Sequence, residues 1–98
     1  MSGTAGDRLR RRPARAETVI ERDLDEELVL LDTRNEQYYS LDEVGAFIWH
    51  QMDGQRTVAE LVATVAHEYD ASEATIQQDT LEILDNLASE GLIAWQDG

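Results

Sequence analysis

The side chains able to do chemistry in this chain are carboxylates, two histidines and three tyrosines: Asp and Glu number 21, His 2, Tyr 3 and Cys 0. Paired carboxylates could exchange protons with a substrate, and histidines at helical spacing could hold a metal. The spacing supports neither. Twenty acids crowd into residues 16–98, so neighbouring pairs arise without design and read as a solvated face. His50 and His67 fall in different helical segments, with no H-x-x-x-H and no Cys partner, and read as surface residues. No Gly-rich phosphate loop and no G-x-S-x-G is present. Catalytic residues, metal ligands and cofactors are therefore expected to be absent, and the chain reads as a binding module rather than an enzyme.

Charge is distributed unevenly. Residues 1–15 hold five Arg against one Asp, whereas residues 16–98 hold three Arg against the twenty acids, within a formal net charge of −13. "MSGTAGDRLRRRPARAE" has no apolar periodicity, so residues 1–16 are expected to be a disordered Arg-rich arm that serves as a solubility tail, folds back on the acidic body, or meets an acidic partner. Deleting residues 1–15 is expected to leave both folding and binding by the body nearly intact. The remaining residues, 17–98, suffice for one small core. No apolar run reaches the roughly 20 residues of a membrane span and no signal peptide precedes the body, so a cytoplasmic protein without a membrane partner is expected.

The elements that must position any site follow from pattern. "TVIERDL", "ELVLLD" and "QYYSL" read as three short strands, the last two joined by the turn "DTRNE", with Asn35 the candidate for positive φ. In the third strand Tyr39 and Leu41 share one face and Tyr38 and Ser40 the other. One of Tyr38 and Ser40 is expected to point its N–H away from the hairpin.

Ser40 and Glu43 form a capping box for a first helix, with Asp42 the alternative cap; Thr57 and Glu60 cap a second, and Ser72 a third that ends at Gly91. "LIAW" either adds a short strand or seals the core. Gly45, inside the first helix, points to close backbone packing. The sum is an α+β, winged-helix-like fold: a three-stranded antiparallel sheet followed by three helices. Winged helices often bind DNA, but the third helix carries Glu73, Asp79, Glu82, Asp85 and Glu90 with no Lys or Arg, so nucleic acid is disfavoured as a partner. The rival reading, a nucleic-acid-binding or structural adaptor, would act through the basic arm.

Taken in order, "LVLLDTRNEQYYSLDEVGAFIWHQMDGQRTVAELVATVAHEYD" and the later "LASEGLI" resemble the PqqD family, which recognises leader segments of ribosomally made, post-translationally modified peptides (RiPPs). The resemblance spans about residues 18–95. Asp42 stands where the family often has Asn and Asn35 where Gly is common; both keep cap and turn chemistry.

The resemblance implies capture of a precursor leader peptide as a strand added beside the third strand, in a groove whose other wall is the third helix. Gln37, Tyr38, Tyr39, Ser40 and Leu41 would supply the edge. One flank of the helix offers Asp79, Glu82, Ile83 and Asn86, the preferred set; the other offers Leu81 and Ala88. Implied partners are a leader protease and a cyclase in lasso-peptide maturation, or a radical enzyme in PQQ biosynthesis. "YYSLDEVG" is closer to the lasso type.

Overall fold

The computed structural model describes residues 8–25 and 27–96. The elements bounded among these residues are, in order, β1 (Arg12–Arg15), β2 (Val19–Asp23), β3 (Leu28–Asp32), β4 (Gln37–Leu41), α1 (Glu43–Gln51), α2 (Val58–Tyr69), α3 (Glu73–Ser89) and β5 (Ile93–Gln96). β2, β3 and β4 form an antiparallel sheet in that order, and β1 pairs antiparallel with β5. The α+β architecture expected from the sequence is present. To it the structure adds the β1–β5 ribbon.

The ribbon changes the reading of the basic arm. Residues 1–7 lie outside the described residues, but Arg12–Arg15, expected to lack order, form β1. The stabilising contacts are distant in sequence: Arg12 stands opposite Gln96 and Arg15 opposite Ile93. Pro13 is buried, and β1 is a ribbon edge, where a residue without an N–H is tolerated. The arginines turn back onto the body. Arg11 stacks over Trp95 at 4.5 Å, Arg12 Nε donates to Gln55 O at 2.9 Å, Arg15 pairs with Glu21 at 3.4 Å and Arg8 pairs with Asp85. Val58, at the start of α2, donates its otherwise unpaired N–H to Arg11 O at 2.9 Å. Deleting residues 1–15 would remove these contacts and expose one edge of β5, so that variant is expected to melt at a lower temperature than the full chain.

Local signals set the helix ends. Asp42, not Ser40, caps α1 by accepting the Gly45 N–H at 2.9 Å. Ser40 is still in β4, paired with Val29, too far back to cap a helix beginning at Glu43. At α2 the Thr57–Glu60 box is complete in both directions. Ser72 caps α3, whose far end closes in a Schellman motif: Leu92 N–H reaches Leu87 O at 2.9 Å and Gly91 N–H reaches Ala88 O at 3.0 Å, with Gly91 at φ +77°. Glu90 is the cap residue and Gly91 the left-handed residue after it. The core gathers Leu28 and Leu30 from the sheet, Ile48, Trp49 and Met52 around α1, Leu61 and Val65 from α2, Leu84 and Leu87 from α3, and Leu92 and Ile93.

The β3–β4 turn is held to the end of α3 by a charged clip. Asp32 is 0% exposed, and its carboxylate accepts from Arg34 N–H at 3.0 Å, Nε at 3.0 Å and Nη2 at 2.7 Å. The same Nη2 donates to Gly91 O at 2.9 Å. The Asn35 side chain accepts the Gln37 N–H at 3.0 Å, and Glu36 rather than Asn35 takes positive φ, at 59°. Asn35 thus acts through its amide oxygen, and the next residue absorbs the left-handed bend.

Hydrogen bonds from the Arg34 side chain, then from its backbone N–H, hold the Asp32 carboxyl below the usual carboxylate range against the opposing effect of burial. A depressed native pKa stabilises the fold above the unfolded value, about 3.9, and that contribution is lost as pH falls through the depressed value. Thermal melts between pH 7 and pH 2 should therefore show stability falling in that acid range. Asp32→Asn should lower the melting temperature at pH 7 and flatten the acid dependence; an unchanged acid profile would contradict the role of the clip.

Candidate functional site

β4 is an edge strand: among the described residues its one partner is β3. The direction of its N–H groups follows from bonds at both ends of the β2–β3 ladder. Thr33 N–H donates to Thr18 O at 3.0 Å and Leu24 N–H to Glu27 O at 2.8 Å. Because hydrogen-bonding direction alternates along a strand, Val29 and Leu31 also face β2, while Leu28, Leu30 and Asp32 face β4. These three stand opposite Leu41, Tyr39 and Gln37. Tyr38 and Ser40 therefore both direct their N–H and C=O groups to the open edge. The expectation that just one of them does so fails, because residues two apart in a strand share direction.

Facing this edge across a groove is α3. A cavity of about 480 Å3 is lined by Tyr38, Tyr39, Ser40 and Leu41 on one side, by Ile83, Asn86, Leu87 and Glu90 on the other, and by Leu92 at its base. A second cavity, about 520 Å3, shares Ser40, Leu41 and Ile83 and continues the groove past Glu27, Asp42 and Gly45. Gly45 allows the close approach of α1 to β4: a Cβ there would stand 3.2 Å from the Leu41 Cβ. The groove thus has an apolar floor, an unpaired peptide edge on one wall and a helix on the other.

Of the nine residues named from the sequence, six line these cavities: Tyr38, Tyr39, Ser40, Leu41, Ile83 and Asn86. Gln37 is exposed at the start of β4, and Asp79 and Glu82 are exposed on α3; none of the three lines either cavity. Leu81 and Ala88, the alternative flank, pack against the core. Leu87, Glu90 and Leu92 complete the wall and were not named. Glu90 was within reach of the helical pattern, lying four residues beyond Asn86 and seven beyond Ile83. Leu92 was not, since its place depends on the chain reversal after Gly91.

The Tyr39 hydroxyl donates to Glu90 Oε1 at 3.1 Å, joining the two walls. Burial, then this bond, pushes the Tyr39 phenol above its usual pKa, so it stays a neutral donor. Beyond Glu27 the groove adjoins a cavity with Leu24, Phe47 and Tyr69 below and Asp23, Asp25, Glu43 and Glu68 around it. One end of the groove is accordingly acidic. His50 and His67 are exposed; His50 lies 3.3 Å from Asp23 and 3.7 Å from Glu21, and no metal-holding group of three or more His, Cys, Asp or Glu occurs among the described residues. No helix among them is long and apolar enough to cross a membrane.

Solved structures share this fold. TbiB1, solved in complex with the TbiA(beta) leader peptide, matches with a TM-score of 0.77 and 28% identity, covering 86% of this chain and 99% of that one. A lasso peptide synthetase B1 complexed with its leader peptide shares the fold, with a TM-score of 0.76, 19% identity and coverage of 85% and 98%. The PqqD part of Methylobacterium extorquens PqqCD, a stand-alone RiPP recognition element, matches at a TM-score of 0.69 and 28% identity over 84% of this chain and 87% of that one. In sequence, the PqqA binding proteins of Xanthomonas euvesicatoria pv. vesicatoria (strain 85-10) and Xanthomonas axonopodis pv. citri (strain 306) are 31% and 33% identical over 58 residues, 59% of this chain. The match spans 63% of the length of these relatives. The profile of coenzyme PQQ synthesis protein D (PqqD) matches residues 27–93, from the start of β3 into β5, and the chain belongs to the PqqD family.

Proposed function

We propose that this protein is a leader-peptide recognition module, which takes up the leader of a ribosomally made precursor as a strand beside β4 and presents the rest of the precursor to separate modifying enzymes. The observation that carries this reading is the pair of outward N–H groups at Tyr38 and Ser40 beside an apolar-floored groove closed by α3. Backbone bonds along Gln37–Leu41 would give generic affinity, and side chains entering between Tyr39, Leu41 and Ile83 would give selection. Asn86 sits on the rim, and Asp79 and Glu82 lie farther along α3, where they would meet the end of the bound segment. The module catalyses nothing itself. It works in the cytoplasm by tethering, which raises the effective concentration of the precursor at its enzyme.

Lasso-peptide maturation, with a leader protease and a cyclase, is the pathway favoured by the "YYSLDEVG" pattern and by the fold shared with a lasso peptide synthetase B1. PQQ biosynthesis beside a radical enzyme comes next, supported by the family profile. The rival reading, nucleic-acid binding through the arm, loses ground because Arg8, Arg11, Arg12 and Arg15 are each engaged within the protein.

The test is titration with a synthetic leader from the precursor gene neighbouring this one. Saturable binding is expected, with association slowing as salt is raised if that leader is basic, because the body is acidic. Absence of binding to that leader at any salt concentration would overturn the reading.

A further inference from the structure

The β2–β3–β4 sheet has a second face, turned away from the core, and its side chains are not those of an ordinary solvated surface. Leu28, Leu30 and Asp32 point inward and are buried, so alternation turns Val29 and Leu31 outward. The register places Ile20 opposite Leu31 and Leu31 opposite Tyr38, an apolar row across all three strands. Ile20 is 58% exposed and Tyr38 70%. The next row is different in kind: Arg22, Val29 and Ser40, with the Ser40 hydroxyl bonded to Glu27. An antiparallel sheet with one open face ordinarily carries polar residues there, and adjoining exposed apolar side chains mark a contact surface.

The row runs into the open edge. Tyr38 directs its N–H toward any strand seated on β4, while its ring stands on the outer face. An added strand lies about 4.8 Å from β4 and must place every second side chain on that face. The residue of the incoming strand opposite Tyr38 therefore becomes the fourth member of the row Ile20, Leu31, Tyr38. A shallow cavity of about 380 Å3 lined by Leu31, Thr33, Glu36 and Tyr38 adjoins it.

We infer that this outer row is a second specificity subsite for the same bound peptide, and that it takes an aromatic or branched aliphatic side chain opposite Tyr38. The residues on either side of that position in the peptide enter the groove between β4 and α3. The residue two positions away, opposite Ser40, is polar, matching the row of Arg22 and Ser40. The inference rests on the strand-addition reading. Recognition then uses both faces of the added strand, so a segment that merely fills the groove is incompletely read.

Twelve-residue random peptides displayed on phage, selected on the full chain and counter-selected on Ser40→Pro, supply the probe. Enriched peptides should share an aromatic or branched aliphatic residue two positions from a polar one. The strongest, made synthetically, should bind Tyr38→Ala about tenfold more weakly, the scale of one well-packed cross-strand aromatic, and Tyr38→Phe at wild-type affinity. Replacing its outer residue with Ser should cost as much on the wild type and nothing further on Tyr38→Ala. Because Tyr38 is exposed, its variants should melt with the wild type. Peptides that need an open edge at Ser40 yet bind Tyr38→Ala within twofold would overturn the outer subsite and leave the groove standing; that result, or dimerisation that Tyr38→Ala abolishes, would assign the row to another protein surface. Failure to recover any peptide that prefers the wild type to Ser40→Pro would overturn the strand-addition reading itself.

Discussion

Replacing Trp49 with Ala is expected to remove most of the stability of this domain and, through unfolding, all of its peptide binding. Trp49 is 1% exposed in α1, in the same buried cluster as Ile48 and Met52, and its indole N–H donates to Glu21 Oε2 at 2.8 Å. Truncation leaves a cavity the size of a bicyclic ring and strips Glu21 of a donor. Large-to-small changes of this kind cost about 3–5 kcal/mol. A domain this small lies toward the low end of the roughly 5–15 kcal/mol typical of native proteins, so the variant sits near its folding threshold at ambient temperature. A thermal melt decides: a midpoint within a few degrees of the wild type would mean that α1 does not anchor the core through Trp49.

The second large effect separates affinity from stability. Ser40→Pro is expected to weaken leader binding by at least tenfold while the protein stays folded. The Ser40 N–H faces the open edge, so proline removes no bond of the β3–β4 ladder; it deletes a donor offered to the ligand and sets a ring in the path of an incoming strand. One lost hydrogen bond of about 1–2 kcal/mol together with that obstruction gives the expected loss. The Ser40 bond to Glu27 is also lost, a surface contact of small weight. Tyr39→Pro is the contrast: its N–H faces Leu30 on β3, so it should lower the melting temperature sharply. A folded Ser40→Pro protein that binds the leader as the wild type does would place capture elsewhere.

Much of this could be read from the sequence because the signals are local. The Thr57–Glu60 box, the Ser72 cap and Gly91 each act within one helical turn, and the alternation of Leu28, Leu30 and Asp32 against Val29 and Leu31 is visible in five consecutive residues. Where two local solutions competed, the sequence did not choose. Ser40 and Asp42 both could cap α1, and membership of Ser40 in β4 decided it. At the turn the expected bend at Asn35 falls instead on Glu36, while the Asn35 side chain is engaged by the Gln37 N–H.

What stayed hidden is long-range. β1 depends on a partner about eighty residues away, and nothing in "RPAR" announces a strand until β5 and Trp95 lie beside it. Leu92 reaches the groove by the chain reversal at Gly91, and the Asp32–Arg34 clip matters because Gly91 O is within reach of the same guanidinium. The direction of the Tyr38 and Ser40 N–H groups needed the pairing of β2 with β3, one strand away from the site.

Residue-resolved amide hydrogen exchange, with and without saturating leader peptide, tests strand addition at β4 most directly. In the free protein the Tyr38 and Ser40 amides should exchange fast and the Tyr39 amide, bonded into the ladder, slowly. On adding leader, Tyr38 and Ser40 should slow by tenfold or more while Tyr39 changes little. Saturable binding that leaves both of those amides exchanging as in the free protein would contradict capture along this edge.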